Sequence, residues 1–242
     1  MTAFDRTSGK ILWSALDDRS SYAQGGRGAA AALRRKVFRL AAALHTGECD
    51  VDGQSVSGTT VQIGALRIGG GQPLALIGGP YAIENEKHAL VTAERIVTIT
   101  TDRRVPFIYK SSYDKANRSS IHGHRGPGLT EGLRILKKVR DTLGVPVLSD
   151  VHQVSEVAPA AEVLDVLQIP AFLCRQTDLV VAVARTGKPL NVKKGQFLAP
   201  GDMKNVMDKI VSVGNRSILL TDHAGLPFDY SPVLRDGLAL CG

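Results

Sequence analysis

The chain is poor in the features that mark several protein classes. Aromatic residues make up only 5% of its 242 residues, too few for the rows of rings on which single-stranded nucleic acids stack. No apolar run approaches the roughly 18 residues that a membrane-spanning helix needs, and residues 1–10 lack the apolar core of a signal peptide. We therefore expect neither a nucleic-acid partner nor a membrane partner.

Cysteine is also scarce and unpaired. The three cysteines are Cys49, Cys174 and Cys241, and no two of them have a C-x-x-C spacing. An odd number of separated thiols is typical of a reducing compartment and argues against a disulfide framework, so we expect a cytoplasmic protein. Cys174 has a cationic neighbour in the sequence, Arg175, but no base accompanies it, and we interpret it as structural.

The net charge of +7 is spread along the chain. Residues 1–59 contain eight basic and six acidic residues, so they do not form a basic tail. A hydrophobic content of 43% and a charged content of 22% are those of a folded domain. Anionic small substrates are the preferred explanation of the excess positive charge. A basic interaction protein, binding through a helix over residues 29–43, remains an alternative.

The pattern divides the chain into three segments. Residues 1–59 form an extension broken by Gly25, Gly26 and Gly28, residues 60–221 form a βα domain, and residues 222–242 form a diverged tail. Within the extension, the segment from Ala3 to Trp13 has the pattern of one strand–turn–strand repeat. A single repeat cannot bury its own apolar face, so we derive no function from it.

The middle segment alternates between apolar, β-branched runs and stretches with helical periodicity. It opens with a predicted hairpin around Gly64, and Leu129, Leu133, Leu136 and Val139 mark one of the later helices. Continuous apolar strands separated by helices indicate a parallel sheet in an α/β fold. The six predicted strands are Leu74–Ile77, Pro106–Tyr109, Pro146–Leu148, Val166–Ile169, Leu190–Val192 and Ile218–Leu220.

Basic side chains follow the predicted strands at their carboxyl ends, where parallel βα folds bind ligands. Arginine suits bidentate binding of phosphate or carboxylate, and lysine supplies a compact charge. Any one of these residues alone could be a solvated loop residue, but the group as a whole predicts a site for a polyanion. Its members are Lys110, Lys115, Arg118, Arg175, Lys193 and Lys194.

Two other arrangements offer weaker functional signals. His122 and His124 alternate along a loop, but two histidines without a third ligand nearby are more often solvated or in contact with phosphate than a metal site. The run Asp150-Val151-His152 contains two members of a catalytic triad, yet no serine in a nucleophile elbow accompanies it. We therefore predict neither a metal site nor a triad.

The motifs at the strand ends carry a family resemblance. The run KSSYDKANRSS (residues 110–120), Asp150-Val151-His152, QIPAFLCRQTD (residues 168–178) and NVKKGQFLAP (residues 191–200) resemble the signatures of 3-deoxy-D-manno-octulosonate 8-phosphate synthases. The likeness extends from Thr60 to about Thr221. Residues 116–119 differ from the motif of the related aldolase that takes erythrose 4-phosphate, which favours arabinose 5-phosphate as the sugar.

The resemblance implies a fold and a reaction. The fold is a TIM-type (βα)8 barrel, of which this chain supplies about six βα units, so we expect an incomplete barrel. The reaction condenses phosphoenolpyruvate with arabinose 5-phosphate and releases phosphate. Lys115, Asp150 and Lys110 would be catalytic, with Lys115 as a proton donor. The implied substrate-binding residues are Ser112, Asn117, Arg118, Ser119, Gln168, Arg175 and Lys193.

The chain departs from the family pattern at several places. Metal-dependent members have cysteine, and metal-independent members asparagine, where Tyr81 stands here, and His223 replaces a phosphate-binding arginine. The family's metal ligands are not found, so we predict no metal cofactor, although some members use a divalent metal. The family also implies a homo-oligomer, a tetramer. An inactive fragment that keeps partial anion binding is the alternative to an active synthase.

Overall fold

A computed structural model of the chain describes residues 2–4, 11–14, 60–196 and 198–221. At the amino-terminal end, β1 (Thr2–Phe4) and β2 (Ile11–Ser14) pair antiparallel, with Ala3 opposite Trp13. This agrees with the strand–turn–strand pattern in the sequence. The rest of the predicted extension and the predicted tail over residues 222–242 lie outside the described residues.

The predicted hairpin is present at the start of the βα segment. β3 (Val61–Ile63) and β4 (Leu66–Ile68) pair antiparallel, with Ile63 opposite Leu66 across the turn. The turn uses Gly64 at φ +56°, a backbone conformation that glycine adopts without steric cost.

Six parallel strands form the main sheet. They are β5 (Leu76–Gly78), β6 (Phe107–Lys110), β7 (Val147–Asp150), β8 (Val166–Ile169), β9 (Leu190–Lys193) and β10 (Ile218–Thr221). Five α-helices alternate with them: α1 (Glu86–Asp102), α2 (Leu129–Leu143), α3 (Val154–Val163), α4 (Thr177–Ala184) and α5 (Met203–Val211). The six predicted strands and the α2 helix are thereby confirmed.

The strands lie in the sheet in the order in which they occur along the chain, from β5 at one edge to β10 at the other. Consecutive helices also contact one another, from α1 through α5. A doubly wound sheet would reverse its strand order, whereas sequential order is that of a (βα) barrel. The sheet is a curled half-barrel, and the prediction of an incomplete TIM-type barrel is confirmed.

Alternate residues of each strand face opposite sides of the sheet. Phe107, Tyr109 and Val147 belong to the large core between sheet and helices. Ile108 and Leu148 instead join a second, smaller cluster with Val61 and Ile63 of the hairpin. The hairpin therefore covers the inner face of the sheet near the amino ends of its strands. The same inner face becomes polar toward the carboxyl ends.

Several residues predicted just after strands are the last residues of strands. The strands β6, β7 and β9 end at Lys110, Asp150 and Lys193, respectively. These residues extend the inward-facing series that begins with apolar residues such as Ile108 and Leu148. Within the described residues, no helix is both long and apolar enough to cross a bilayer.

Candidate active site

The polar half of the inner face is organised around the carboxylate of Asp150, which is 4% exposed. Ser112 Oγ donates to Asp150 Oδ2 at 2.5 Å, and Lys115 Nζ donates to the same oxygen at 3.2 Å. Gln168 Nε2 donates to Oδ1. Both oxygens of the carboxylate are thus engaged, and three predicted site residues, from two of the quoted motifs, converge on one side chain.

The hydrogen bonds continue from Asp150 across the sheet. Asn191 Nδ2 donates to Gln168 Oε1 at 2.8 Å, and Thr221 Oγ1 donates to Asn191 Oδ1 at 2.6 Å. One polar chain therefore runs through the inner face from β7 to β10. Asp150, Gln168 and Asn191 are all buried, and such groups are tolerated in a core only when they are hydrogen-bonded.

Charge–charge interactions set the protonation of the two central groups. Burial alone raises the pKa of Asp150, but Lys110, Lys115 and the hydrogen bond from Ser112 outweigh it, and the pKa lies well below its ordinary value. Burial is the main cause that lowers the pKa of the Lys115 ammonium; the charges of Lys110 and Lys193 also lower it and Asp150 raises it, and the resulting pKa is about 7. Lys115 is therefore a cation that can give up its proton near neutral pH.

The loop after β6 is held in place by contacts on both sides of Lys115. Lys115 N donates to Arg125 O at 2.7 Å, so the loop returns past the lysine before α2 begins. On the helix side, Tyr113 Oη donates to Glu156 Oε2 at 2.8 Å. His152 N donates to the same oxygen at 2.9 Å. These contacts attach the loop to the start of α3 and fix the backbone that carries Lys115.

The loop after β5 supplies an aromatic wall to the site. Ile83 N donates to Ser112 O at 3.0 Å, which pairs this loop with the continuation of β6. The ring centroid of Tyr81 then lies 3.8 Å from Lys115 Nζ and 4.9 Å from Arg118 Cζ. Both distances are within the range of cation–π contacts. Tyr81, which departs from the family pattern, is a contact residue of the site.

Gly79 allows the loops after β5 and β6 to approach each other. A Cβ atom at this position would lie well inside contact distance of the Lys110 carbonyl oxygen. Because that obstacle is backbone, it cannot rotate away. A glycine at the end of β5 is therefore required for the position of Tyr81 beside Lys115.

The other predicted site residues lie at the rim. Asn117 and Ser119 are exposed on the loop after β6, and Arg118 Nε donates to His124 O at 2.9 Å. Arg175 is exposed after a short 3-10 helix, Ala171–Leu173, and its carbonyl accepts a hydrogen bond from Lys209. Lys193 is close enough to influence Lys115 electrostatically. No contact joins Arg175 to Asp150 among the described residues, so its role stays a prediction.

Two residues that the sequence placed near the site have structural roles. The buried ammonium of Lys194 donates to Gly195 O at 3.2 Å and to Leu198 O at 3.0 Å. We therefore assign Lys194 to the loop and remove it from the predicted group of anion-binding cations. Cys174 is a buried free thiol that packs in the core, in agreement with its structural interpretation.

Three site residues were missed in the sequence. Asn191 lies within a predicted strand, and Thr221 is the last residue of the observed strand β10. Asn191 lies opposite Gln168 and Leu219 in the register, and Thr221 lies two residues after Leu219, so Gln168, Asn191 and Thr221 face the same side of the sheet. Asn191 begins one of the quoted motifs, and a polar residue in an otherwise apolar strand is the signal that could have found it. Tyr81 has a weaker signal, as an aromatic side chain just after a strand in a chain with few aromatics.

The described residues of the site do not come together as a ligand group for a divalent metal. Among residues 60–196 and 198–221, no three His, Cys, Asp or Glu side chains come together as a ligand group. Asp150 already accepts hydrogen bonds on both oxygens, and Tyr81 is in contact with two cations.

The arrangement can bind an anion and transfer a proton. Lys110, Lys115 and Lys193 supply concentrated positive charge in a partly buried place, where electrostatic attraction is stronger than in water. Lys115 has a pKa of about 7, which suits a general acid at neutral pH. The fixed hydrogen bonds to Asp150 hold that ammonium without reorganisation when charge develops on a bound molecule.

Comparison with known proteins places these features in a family. Residues 51–232 match the model of the DAHP synthetase I family. A protein of Trichlorobacter lovleyi and one of Geobacter sp. strain M21 are each 60% identical over 176 residues, and one of Geotalea uraniireducens is 58% identical. All three are named 2-dehydro-3-deoxyphosphooctonate aldolase, and the match covers 73% of this chain and 64% of each relative. The chain therefore belongs to the DAHP synthetase I family.

Proposed function

We propose that the chain condenses phosphoenolpyruvate with arabinose 5-phosphate to give 3-deoxy-D-manno-octulosonate 8-phosphate and inorganic phosphate. The observation that carries the proposal is the positive charge gathered at the carboxyl ends of the strands, where Lys110 and Lys193 lie near Lys115, and Lys110 and Lys115 lie near Asp150. Two phosphates and a carboxylate must be held close together in this reaction, so several cations must meet. The name of the three relatives supports the same assignment.

The two substrates would bind on different parts of the site. Lys110, Ser112 and Lys193 line the inner part, and with Arg175 at the rim they would hold phosphoenolpyruvate. Asn117, Arg118 and Ser119 belong to the loop after β6, where Asn117 and Ser119 are exposed and Arg118 is half-buried, and would bind the phosphate of the sugar. Arginine and neutral donors together suit a phosphate monoester.

Lys115 lies between these two groups and is proposed as the proton donor. In the reaction, C3 of phosphoenolpyruvate forms a bond to the aldehyde carbon, and the aldehyde oxygen takes up a proton from the Lys115 ammonium. The oxygen of a water molecule bonds to C2, and the proton that this water loses restores the Lys115 ammonium. The bond between C2 and the phosphate oxygen then breaks, and the proton of the new hydroxyl leaves with inorganic phosphate as the C2 ketone forms. The cations offset the charge of the reacting groups, and the enforced closeness of the two substrates lowers the entropic part of the barrier.

Asp150 acts in this proposal through Lys115. Since its two oxygens accept from Ser112, Lys115 and Gln168, it is already committed to hydrogen bonds. Its charge keeps the buried lysine protonated in part, and its position fixes the direction of the ammonium. Gln168 in turn orients Asp150 and could offer its remaining donor capacity to water or substrate.

Three further predictions accompany the proposal. The reaction is proposed to need no metal, because Lys115 and Arg118 at Tyr81 would repel a divalent cation; the rate should be unchanged by a chelator. A homo-oligomer, with a tetramer as the expectation from the family, is checked by light scattering. A cytoplasmic location is proposed from the odd number of cysteines and the lack of a C-x-x-C pair in the sequence, and is checked by cell fractionation.

The test is an assay of the purified chain with both substrates. Phosphate release should require both, and mass spectrometry should detect the eight-carbon product. Replacing arabinose 5-phosphate with erythrose 4-phosphate is the matched control and should give little product. Lys115→Met should reduce the rate by at least about a hundredfold, the size typical of losing a general acid. No product, in a protein whose melting temperature still rises with phosphoenolpyruvate, would instead support the inactive-fragment alternative.

A further inference from the structure

Tyr81 brings together two cations that belong to different parts of the site. Its ring centroid is 3.8 Å from Lys115 Nζ and 4.9 Å from Arg118 Cζ. Lys115 is 6% exposed, while Arg118 is half-buried on the same loop. Under the proposed function, the first cation serves the reacting aldehyde and the second the sugar phosphate.

Two positive groups near one another repel each other, and the repulsion is stronger where water is excluded. The face of an aromatic ring carries partial negative charge and attracts cations, most strongly when they are desolvated. A ring in contact with both cations therefore offsets part of their repulsion. Unlike a carboxylate, it does so without a full negative charge that would compete with an anionic substrate.

We propose that Tyr81 is a positioning residue whose ring face holds Lys115 and Arg118 at a fixed spacing for the sugar phosphate substrate. The assignment of that substrate rests on the proposed function, but the positioning itself concerns the free protein. The contact is made possible by Gly79, which lets the loop after β5 approach Lys110, and by the backbone bond from Ile83 to Ser112.

The groups that face Lys115, charged or aromatic, come from three strands and two loops. Lys110 of β6 and Lys193 of β9 lower its pKa, and Asp150 of β7 raises it. Tyr81 and Arg118 approach from the loops after β5 and β6. The ring has two opposed effects, because it shields the ammonium from water and also attracts its charged form. A test must change the second effect without changing the first.

Phenylalanine and pentafluorophenylalanine at position 81 provide that test, because the two rings have nearly the same shape but opposite charge on the face. The pKa of Lys115 is measured from the pH dependence of its 13Cε resonance, assigned with Lys115→Met. Tyr81→Phe should keep the wild-type pKa. Pentafluorophenylalanine should lower the pKa of Lys115 by about one, which corresponds to the loss of one desolvated cation–π contact.

Binding of sulfate gives a second readout that needs no catalysis. At about pH 7, a fall of one unit would reduce the protonated fraction of Lys115 roughly fivefold, and sulfate should bind correspondingly more weakly to the pentafluorophenylalanine variant than to Tyr81→Phe. Equal pKa values and equal sulfate affinities in the two variants would overturn the proposal. Since neither measurement uses turnover, that failure is distinct from a failure to form the octulosonate product.

Discussion

Lys115 and Asp150 form a buried ion pair between the loop after β6 and the last residue of β7, with Nζ 3.2 Å from Oδ2. Their side chains are 7% and 6% exposed. Removing either partner of such a pair leaves the other charge buried without compensation, which destabilises the folded protein. The pair therefore contributes to both stability and the proposed function, because Lys115, the proposed proton donor, also stabilises the fold through this pair.

Asp150→Asn should destabilise the protein by about 3–5 kcal/mol, since it leaves the Lys115 ammonium buried without its counter-charge. Urea denaturation measures the change. Asp208→Asn is the matched control, because Asp208 pairs with Lys204 on the surface, where side chains are 58% and 75% exposed and a pair contributes about 0–1 kcal/mol. Adding Lys115→Met to Asp150→Asn should recover part of the loss. Equal effects of the two asparagine variants would contradict a buried pair.

Stability should depend on pH through Lys115. Its pKa is about 7 in the folded protein and about 10.4 when unfolded. Between these values the unfolded chain binds more protons, so the contribution of Lys115 to the free energy of unfolding rises with pH. The difference in unfolding free energy between wild type and Lys115→Met should therefore move in favour of wild type from about pH 7 to about pH 9. A difference that stays constant over this window would indicate a lysine with an ordinary pKa.

Anion binding should have the opposite pH dependence. A protonated Lys115 attracts an anion and a neutral one does not, so sulfate, whose own charge is constant in this range, should bind more weakly as pH rises through about 7. Isothermal titration calorimetry at about pH 6 and about pH 8.5 measures the change in Kd. In Lys115→Met the affinity should be lower, and its pH dependence across neutrality should be largely removed. A steep dependence that persists in this variant would assign the titration to another group.

The polar chain across the sheet should be cooperative. Asn191→Leu removes the group that donates to Gln168 Oε1 and the oxygen that accepts from Thr221 Oγ1. Each buried polar group left unsatisfied costs about 1–3 kcal/mol of stability. Combined with Gln168→Leu, the loss should be smaller than the sum of the two single losses, because the partner is already absent. Denaturation of the single and double variants measures the coupling. Strict additivity would show that the two amides act independently.

Gly79→Ala should disturb the site more than a glycine replacement elsewhere. The new Cβ would collide with the Lys110 carbonyl, forcing β5 away from β6 or Tyr81 away from Lys115. We expect a loss of about 1–3 kcal/mol, as for other overpacked positions, and weaker sulfate binding. Gly201→Ala is the control, since a Cβ there meets nothing within 4 Å. Similar behaviour of the two variants would contradict a close approach at Gly79.

Much of the fold could be predicted because the βα pattern is local. Apolar strands such as Val166–Ile169 and the periodic helix around Leu133 depend on neighbouring residues only. The curled sheet was expected through the family resemblance and follows in the structure from the sequential strand order. The strand ends were less accurate, because Lys110 and Asp150 are polar and were interpreted as the start of loops.

Some of the predicted site residues lie together in the structure, but their contacts and three further residues of the site were not predicted. Ser112, Lys115, Asp150 and Gln168 come together as expected for residues at neighbouring strand ends. The burial of Lys194 among loop carbonyls could not be foreseen, since it depends on how the loop after β9 folds back. The contacts of the Tyr81 ring could not be foreseen either, because they join residues of two loops that meet only in the folded protein.

The sequential order of the strands has a consequence for how the site is made. Each strand pairs with the one synthesised just before it, so the sheet can grow by addition at one edge while the chain leaves the ribosome. The hydrogen bonds that Gln168 donates to Asp150, Asn191 to Gln168 and Thr221 to Asn191 would then form one after another. Until Thr221 arrives with β10, Asn191 lacks one partner. The polar groups would therefore be completed in the order of biosynthesis, and Lys115 would reach its place beside Asp150 before Thr221 completes the far end of the hydrogen-bonded chain.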